Sequence, residues 1–256
     1  MMKPIENADF GKTTEDYLTH RAGFPESFFE RLTEWMPVGG KQVLDLGTGT
    51  GTLARGLAAR GHQLTAIDLS QEMITAAKAL DKEGKISFHV SSAESVPLSN
   101  HSQDVVIAGQ CWHWFKRAET AKECRRLLRP GGLLIIAHYD WLPILENVVT
   151  QTERLIESYN PAWKAGGGTG IHPTWFRDLA EEGFSDIRSF SYDEPATYSH
   201  EAWRGRIRAS AGIAASLPAE QVTQFDAALA EMLVAQFPDQ PLSIAHRVFA
   251  VCGTTW

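Results

Sequence analysis

Two spacings of apolar residues alternate along this chain. Val43 to Leu46, Gln63 to Ile67, Lys85 to Val90, Asp104 to Gly109 and Leu133 to Ala137 read as short strands. The Val-Val-Ile heart of the fourth suits a strand buried on both faces. Between them, apolar side chains return at helical spacing. Leu53 and Leu57 mark one helix over 52 to 60, stopped by Gly61. Met73, Ile74, Ala77 and Leu80 mark a second behind Ser70, and Ala121, Cys124, Leu127 and Leu128 a third. Upstream, helical signals run from 13 to 36, with Phe28, Phe29, Leu32, Trp35 and Met36 on one face, until Pro37-Val38-Gly39-Gly40 breaks them. Such alternation predicts a parallel sheet covered by helices on both faces.

The first strand runs into Asp45-Leu46-Gly47-Thr48-Gly49-Thr50-Gly51, with a glycine at every second position. A strand that turns so sharply into a helix lets a ligand approach the backbone, because no Cβ stands in the way, and exposes the N–H groups of the helix start. A dinucleotide fingerprint would place its third glycine where Thr52 stands. Ligands of such sheets collect at the carboxyl ends of the strands, and Asp45, Asp68, Ser92, Glu94 and Gln110 all fall there. Asp68 is placed to hold ribose hydroxyls, because Ser70 is the better helix cap.

The second half is less regular. Ile144 to Ile156 reads as a helix ended by Asn160-Pro161, and a run with glycine at 166, 167, 168 and 170 follows, read either as a mobile lid or as a plain surface loop. Residues 186 to 192 and 246 to 252 are candidate strands; 199 to 217 and 218 to 237 are candidate helices. The expected division is an N-terminal helical lid segment (1–40), a cofactor-binding core (41–140), a helical cap insertion (141–185), and a C-terminal part that completes the sheet with substrate-side helices (186–256).

Composition narrows the chemistry. With 43% hydrophobic and 21% charged residues, the 256-residue chain can bury a sizeable core. A net charge of -7 argues against nucleic acid as the main partner. No apolar run is long enough for a bilayer, and the opening Met1 to Asn7 lacks a signal peptide's apolar core, so the expectation is a cytoplasmic protein that engages no membrane. Cys111, Cys124 and Cys252 form no C-x-x-C pair, and no metal is expected.

Asp-Leu-Gly-Thr-Gly-Thr-Gly at 45 to 51, Ile-Asp at 67 to 68, Ser-Ala-Glu at 92 to 94 and Leu-Arg-Pro-Gly-Gly at 128 to 132 resemble, in order and spacing, the motifs of class I S-adenosylmethionine-dependent methyltransferases. Gln110-Cys111-Trp112-His113-Trp114-Phe115 resembles the branch that contains trans-aconitate methyltransferase. Tyr17, Arg21 and Pro25 match that branch's opening motif, whereas Ala22 and Phe24 depart from it. The resemblance implies a Rossmann-like, doubly wound, mainly parallel seven-stranded sheet with its last strand antiparallel and a cap between strands five and six. It also implies S-adenosylmethionine as cofactor, S-adenosylhomocysteine as product and a small-molecule acceptor, with a carboxylate considered because the named relative methylates one. Asp45, Gly47, Gly49 and Gln110 would hold the methionine part, Asp68 the ribose, and Leu69, Ala93 and Glu94 the adenine surroundings, with Tyr17 and Arg21 as further cofactor candidates.

His113 is the one nominee for acid-base work, set against a packed structural histidine. Trp112, Trp114, Tyr139 and Trp141 are candidates for an apolar acceptor pocket, or else core. Arg204 is a candidate for an acidic acceptor, or else part of a solvated helix face. His172 completes the candidates. Two rival readings stay open, a nicotinamide-dependent oxidoreductase on a similar sheet and a non-catalytic S-adenosylmethionine-binding regulator. The oligomeric state is not legible.

Overall fold

A computed structural model describes residues 23–210, 212–214 and 216–256. Tyr17 and Arg21 lie outside them. In chain order the elements are α1 (Glu26–Leu32), β1 (Gln42–Leu46), α2 (Thr52–Ala58), β2 (Gln63–Asp68), α3 (Gln71–Leu80), β3 (Ile86–Val90), β4 (Gln103–Gly109), a 3-10 turn (Trp112–Trp114), α4 (Arg117–Leu127), β5 (Leu128–Trp141), α5 (Val148–Tyr159), α6 (Thr174–Glu181), β6 (Ser185–Asp193), β7 (Ala196–Tyr198), α7 (His200–Arg208), α8 (Ala219–Gln236), β8 (Leu242–Ile244) and β9 (His246–Thr254).

Seven strands form one sheet in the order β3-β2-β1-β4-β5-β9-β6. Strands β3, β2, β1, β4 and β5 pair in parallel, and the sheet is mostly parallel with its last strand antiparallel, the expected Rossmann-like architecture. Parallel central strands need cover on both faces, and β1 and β4 are apolar and buried almost throughout.

The chain divides into two compact units. One unit holds 23–139, 171–192 and 248–256, with a core that includes Leu44, Leu46, Val106, Ile136, Trp112, Trp175 and Phe249. The other holds 140–170 and 193–247 among the described residues, with its own core around Ile156, Trp163, Trp203, Phe225 and Leu229. Helix α5 belongs to this second unit. Its apolar face, Val148, Val149 and Ile156, shares a core with α7 and α8, while α6 and β6 belong with the sheet.

Two expectations are revised, and one small sheet is new. The Pro130-Gly131-Gly132 turn lies inside β5, where the pairing jumps from Gln103 with Leu128 to Val105 with Leu133. That bulge is absorbed by Gly131 at φ 77°. The helix expected over 199 to 217 ends at Arg208. Finally, β7 and β8 form a small antiparallel sheet with no counterpart in the sequence reading.

Candidate active site

Within the sheet unit, the loops after β1, β2, β3 and β4 are stitched together at the carboxyl ends of their strands. Gly49 N–H donates to Asp68 Oδ2 at 2.8 Å. Ser91 N–H donates to the Asp68 carbonyl at 3.0 Å, and Lys116 N–H to Glu94 Oε1 at 3.0 Å. The Cys111 thiol lies 3.1 Å from the Leu46 carbonyl.

The glycine turn explains how these loops come so close. Gly47 and Gly49 have φ of 59° and 54°, the left-handed region that disfavours a Cβ. A Cβ on Gly47 would lie 3.0 Å from Cys111 Cβ and Sγ and from Phe115. Thr48 N–H donates to the Ile67 carbonyl at 2.8 Å, which ties the turn to β2.

Asp45 lies near the carboxyl end of β1, as the motif places it, with its side chain buried. It is 1% exposed and turned inward, accepting Thr48 Oγ1–H at 2.6 Å and the Ala54 N–H. A carboxylate so placed braces the turn rather than touching a ligand. Burial is the largest influence on it and pushes its pKa up to about 7, the bonds from Thr48 and Ala54 opposing and the Asp68 charge adding a smaller push upward.

Asp68 is half-buried and accepts Gly49 N–H through Oδ2 and Ser70 N–H through Oδ1 at 2.9 Å. Ser70 Oγ in turn caps α3 by accepting Met73 N–H at 3.2 Å, the division of labour the sequence suggested. Next to Asp68, the Leu69 side chain is 76% exposed, an apolar surface held out in water. Ala93 is packed into the core. Glu94 accepts from Ser92 Oγ and Lys116 N–H. Burial pushes the Glu94 pKa up, and these bonds outweigh it and hold it below the ordinary value. Gln110 follows β4 at φ 62°, uncommon for a residue with a Cβ, and its N–H donates to the Ala137 carbonyl at 2.8 Å.

The aromatic candidates separate. Trp112 is fully buried, its Nε1–H donating at 3.0 Å to Asp178, which also pairs with Arg117 at 3.0 Å. Tyr139 is 6% exposed. Both are buried side chains. Trp114 is half-buried, its ring 4.7 Å from that of His113. The remaining two candidates lie in the other unit. Trp141 donates Nε1–H to Glu153 at 2.9 Å and packs edge-on to Trp203. Arg204 is engaged by Asp226 and Glu201.

His113 is half-buried, and its Nδ1 lies 3.2 Å from His138 Nε2. His138 was missed in the sequence although it follows the apolar run of β5, at the kind of strand end that singled out Asp68. The His172 ring lies 4.9 Å from that of His138.

Residues 44–136 match the methyltransferase domain family. Over 220 residues, 85% of this chain and 84% of the other, the sequence is 30% identical to an uncharacterised methyltransferase of Schizosaccharomyces pombe. It is 35% identical over 125 residues to an uncharacterised methyltransferase of Mycobacterium tuberculosis, a match that spans about half of each chain (49%). Among solved structures, a putative type II methyltransferase from Anaeromyxobacter dehalogenans superposes with TM-score 0.67 over 92% of this chain and 97% of the other, at 23% identity. The chain belongs to the class I S-adenosylmethionine-dependent methyltransferases. The nicotinamide and regulator readings are not favoured by these likenesses.

The cofactor of this class is S-adenosyl-L-methionine, and the residues fit it. It carries no phosphate, and the glycine turn offers no lysine. Asp68 uses two of a carboxylate's roughly four acceptor positions, so others remain for ribose hydroxyls. The uncovered Leu69 offers an apolar face of the kind an adenine ring would bury. No helix among the described residues is long and apolar enough to cross a membrane.

Proposed function

We propose that the protein transfers the methyl group of S-adenosylmethionine to a small-molecule acceptor and releases S-adenosylhomocysteine. The bond from Gly49 N–H to Asp68, beside the uncovered Leu69, carries this reading, because it joins the glycine turn and the strand-end carboxylate in one ligand bed. The backbone of Gly47 and Gly49 and the side chain of Gln110 would hold the methionine part, Asp68 the ribose, and Leu69, Glu94 and the Ala93 backbone the adenine. Tyr17 and Arg21 remain candidates from the sequence alone.

When bound, the cofactor supplies an electrophilic methyl group on a sulfonium, whose charge is lost on transfer. What the chain must contribute is alignment and exclusion of water, which can account for much of the barrier. His113 would take a proton from the acceptor where one must leave. A net charge of -7 favours a small molecule over a nucleic acid as acceptor, and three buried cysteines outside any disulfide fit a cytoplasmic setting. Kinship with the trans-aconitate branch rests on the segment Gln110 to Phe115. A carboxylate acceptor rests on that kinship alone, because Arg204 is paired with Asp226 and Glu201.

Calorimetry tests the reading. Asp68→Ala is expected to weaken S-adenosylhomocysteine binding by about tenfold to a hundredfold, the 1.5–3 kcal/mol of hydrogen bonds to a charged group. Asp68→Asn, which keeps an acceptor for Gly49 N–H, should lose less. Unchanged affinity in the alanine variant would remove the basis for this site.

A further inference from the structure

Three imidazoles gather within the sheet unit. His113 Nδ1 faces His138 Nε2 at 3.2 Å. His138 is 6% exposed and held by rings: His172 lies 4.9 Å away, and Trp175 meets it edge-on at 5.2 Å and 61°. His172 is itself stacked flat on Trp175, 3.9 Å between centroids at 4°. These contacts hold the plane of the His138 ring, and in that plane its Nε2 is the atom that meets His113.

Two neutral imidazoles joined by such a bond hold a single proton between the facing nitrogens. If that proton sits on His138 Nε2, the proton of neutral His113 is on its own Nε2, and its lone pair at Nδ1 is spent on the bond. If it sits on His113 Nδ1, then His113 Nε2 is basic, and protonation there leaves the bond to His138 intact. His113, on the 3-10 turn after β4, is the half-exposed member of the pair, and His138 the buried one.

The geometry points to the second arrangement: His113 is the base, His138 is a positioning residue that fixes its tautomer, and the acceptor is one whose attacking atom carries a proton, a hydroxyl or an ammonium. This rests on the methyl-transfer reading above. The proton of the acceptor's O–H or N–H forms a new N–H bond at His113 Nε2, and the bonding pair stays on the oxygen or nitrogen, which becomes the nucleophile toward the methyl carbon. The pair of the broken carbon–sulfur bond remains with sulfur, so no oxidant or reductant enters.

Nitrogen-15 NMR of the histidine-labelled full chain, saturated with S-adenosylhomocysteine at mildly alkaline pH, reads the tautomer directly. Wild type is expected to show His113 protonated on Nδ1 and bare on Nε2. His138→Phe should lose that pattern in favour of Nε2–H, and His138→Gln, whose side-chain oxygen can accept the bond, should keep it. A wild-type His113 that carries its proton on Nε2, or a pattern unchanged in His138→Phe, overturns the assignment. If His138→Phe does not fold, the wild-type spectrum still decides. Calorimetry on the same sample keeps the two readings apart: intact cofactor binding with the wrong tautomer sinks the pair alone, whereas absent binding sinks the methyltransferase site.

Discussion

Asp45 shows how a motif residue can sit in the right place and do a different job. Its carboxyl is buried beneath the glycine turn with a pKa of about 7, against an ordinary 3.8. The folded protein therefore holds a proton that the unfolded chain gives up between about pH 4 and 7, and stability from this group falls as pH rises through that window. An asparagine could accept Ala54 N–H through its oxygen and donate to Thr48 Oγ1 through its amide, keeping both bonds without the charge. Asp45→Asn is accordingly expected to match or exceed wild-type stability at pH 8, with the advantage shrinking toward pH 4. Denaturant titrations at the two pH values check this, and an equal loss at both would contradict it. The sequence made Asp45, Gly47, Gly49 and Asp68 legible as one cluster because each lies at a strand end or in a turn that only glycine makes easily. Which carboxylate faces inward was not legible, since that depends on Thr48 and Ala54 closing over Asp45. His138 escaped notice for a related reason: its partners come from a turn 25 residues earlier and a segment beyond a long insertion, which spacing does not reveal.

At the scale of elements, apolar periodicity located β1 to β5 and the helices between them, because parallel strands buried on both faces leave an unbroken apolar signature. It was weaker where local sequence and pairing disagree. Proline and two glycines looked like a break before β5, yet neighbouring β4 carries the pairing past the bulge. Helix α7 stops earlier than its continuous apolar spacing implied, with Ala209 as its C-cap. Packing also reverses one common substitution rule. Gly56 lies inside α2, where replacement by alanine usually gains up to about 1 kcal/mol. Here a Cβ would stand 2.4 and 2.6 Å from ring atoms of Phe29, a side chain 7% exposed and covered by the Arg60 guanidinium at 4.2 Å. Overpacking of this kind costs about 1–3 kcal/mol. Gly56→Ala should therefore lower the denaturation midpoint, and Phe29→Leu in the same chain should recover part of the loss. A stabilised Gly56→Ala would show that the ring has room to move.

On the scale of the whole molecule, two cores are built from separate stretches of chain. Sequence order hid this, because the second core draws on residues both before and after β6. The ligand bed proposed above belongs to the sheet unit, so S-adenosylhomocysteine at a hundred times its Kd should stabilise that unit by about 2.7 kcal/mol. Hydrogen exchange of the β1, β2 and β4 amides is expected to slow accordingly. Exchange in these strands that stays the same at saturation would place the ligand elsewhere or nowhere on the protein.

The position of β9 carries one more consequence. It follows β5 and β6 in the chain, yet it lies between them in the sheet. Until residues 246–254 emerge, β5 has a neighbour on only one side and β6 has none in that sheet. The nascent chain thus passes through a stage with open strand edges, the condition in which chains join one another instead of themselves. Completion of the sheet therefore waits for β9, and a chain cut short before residue 246 is expected to keep those edges open and to self-associate.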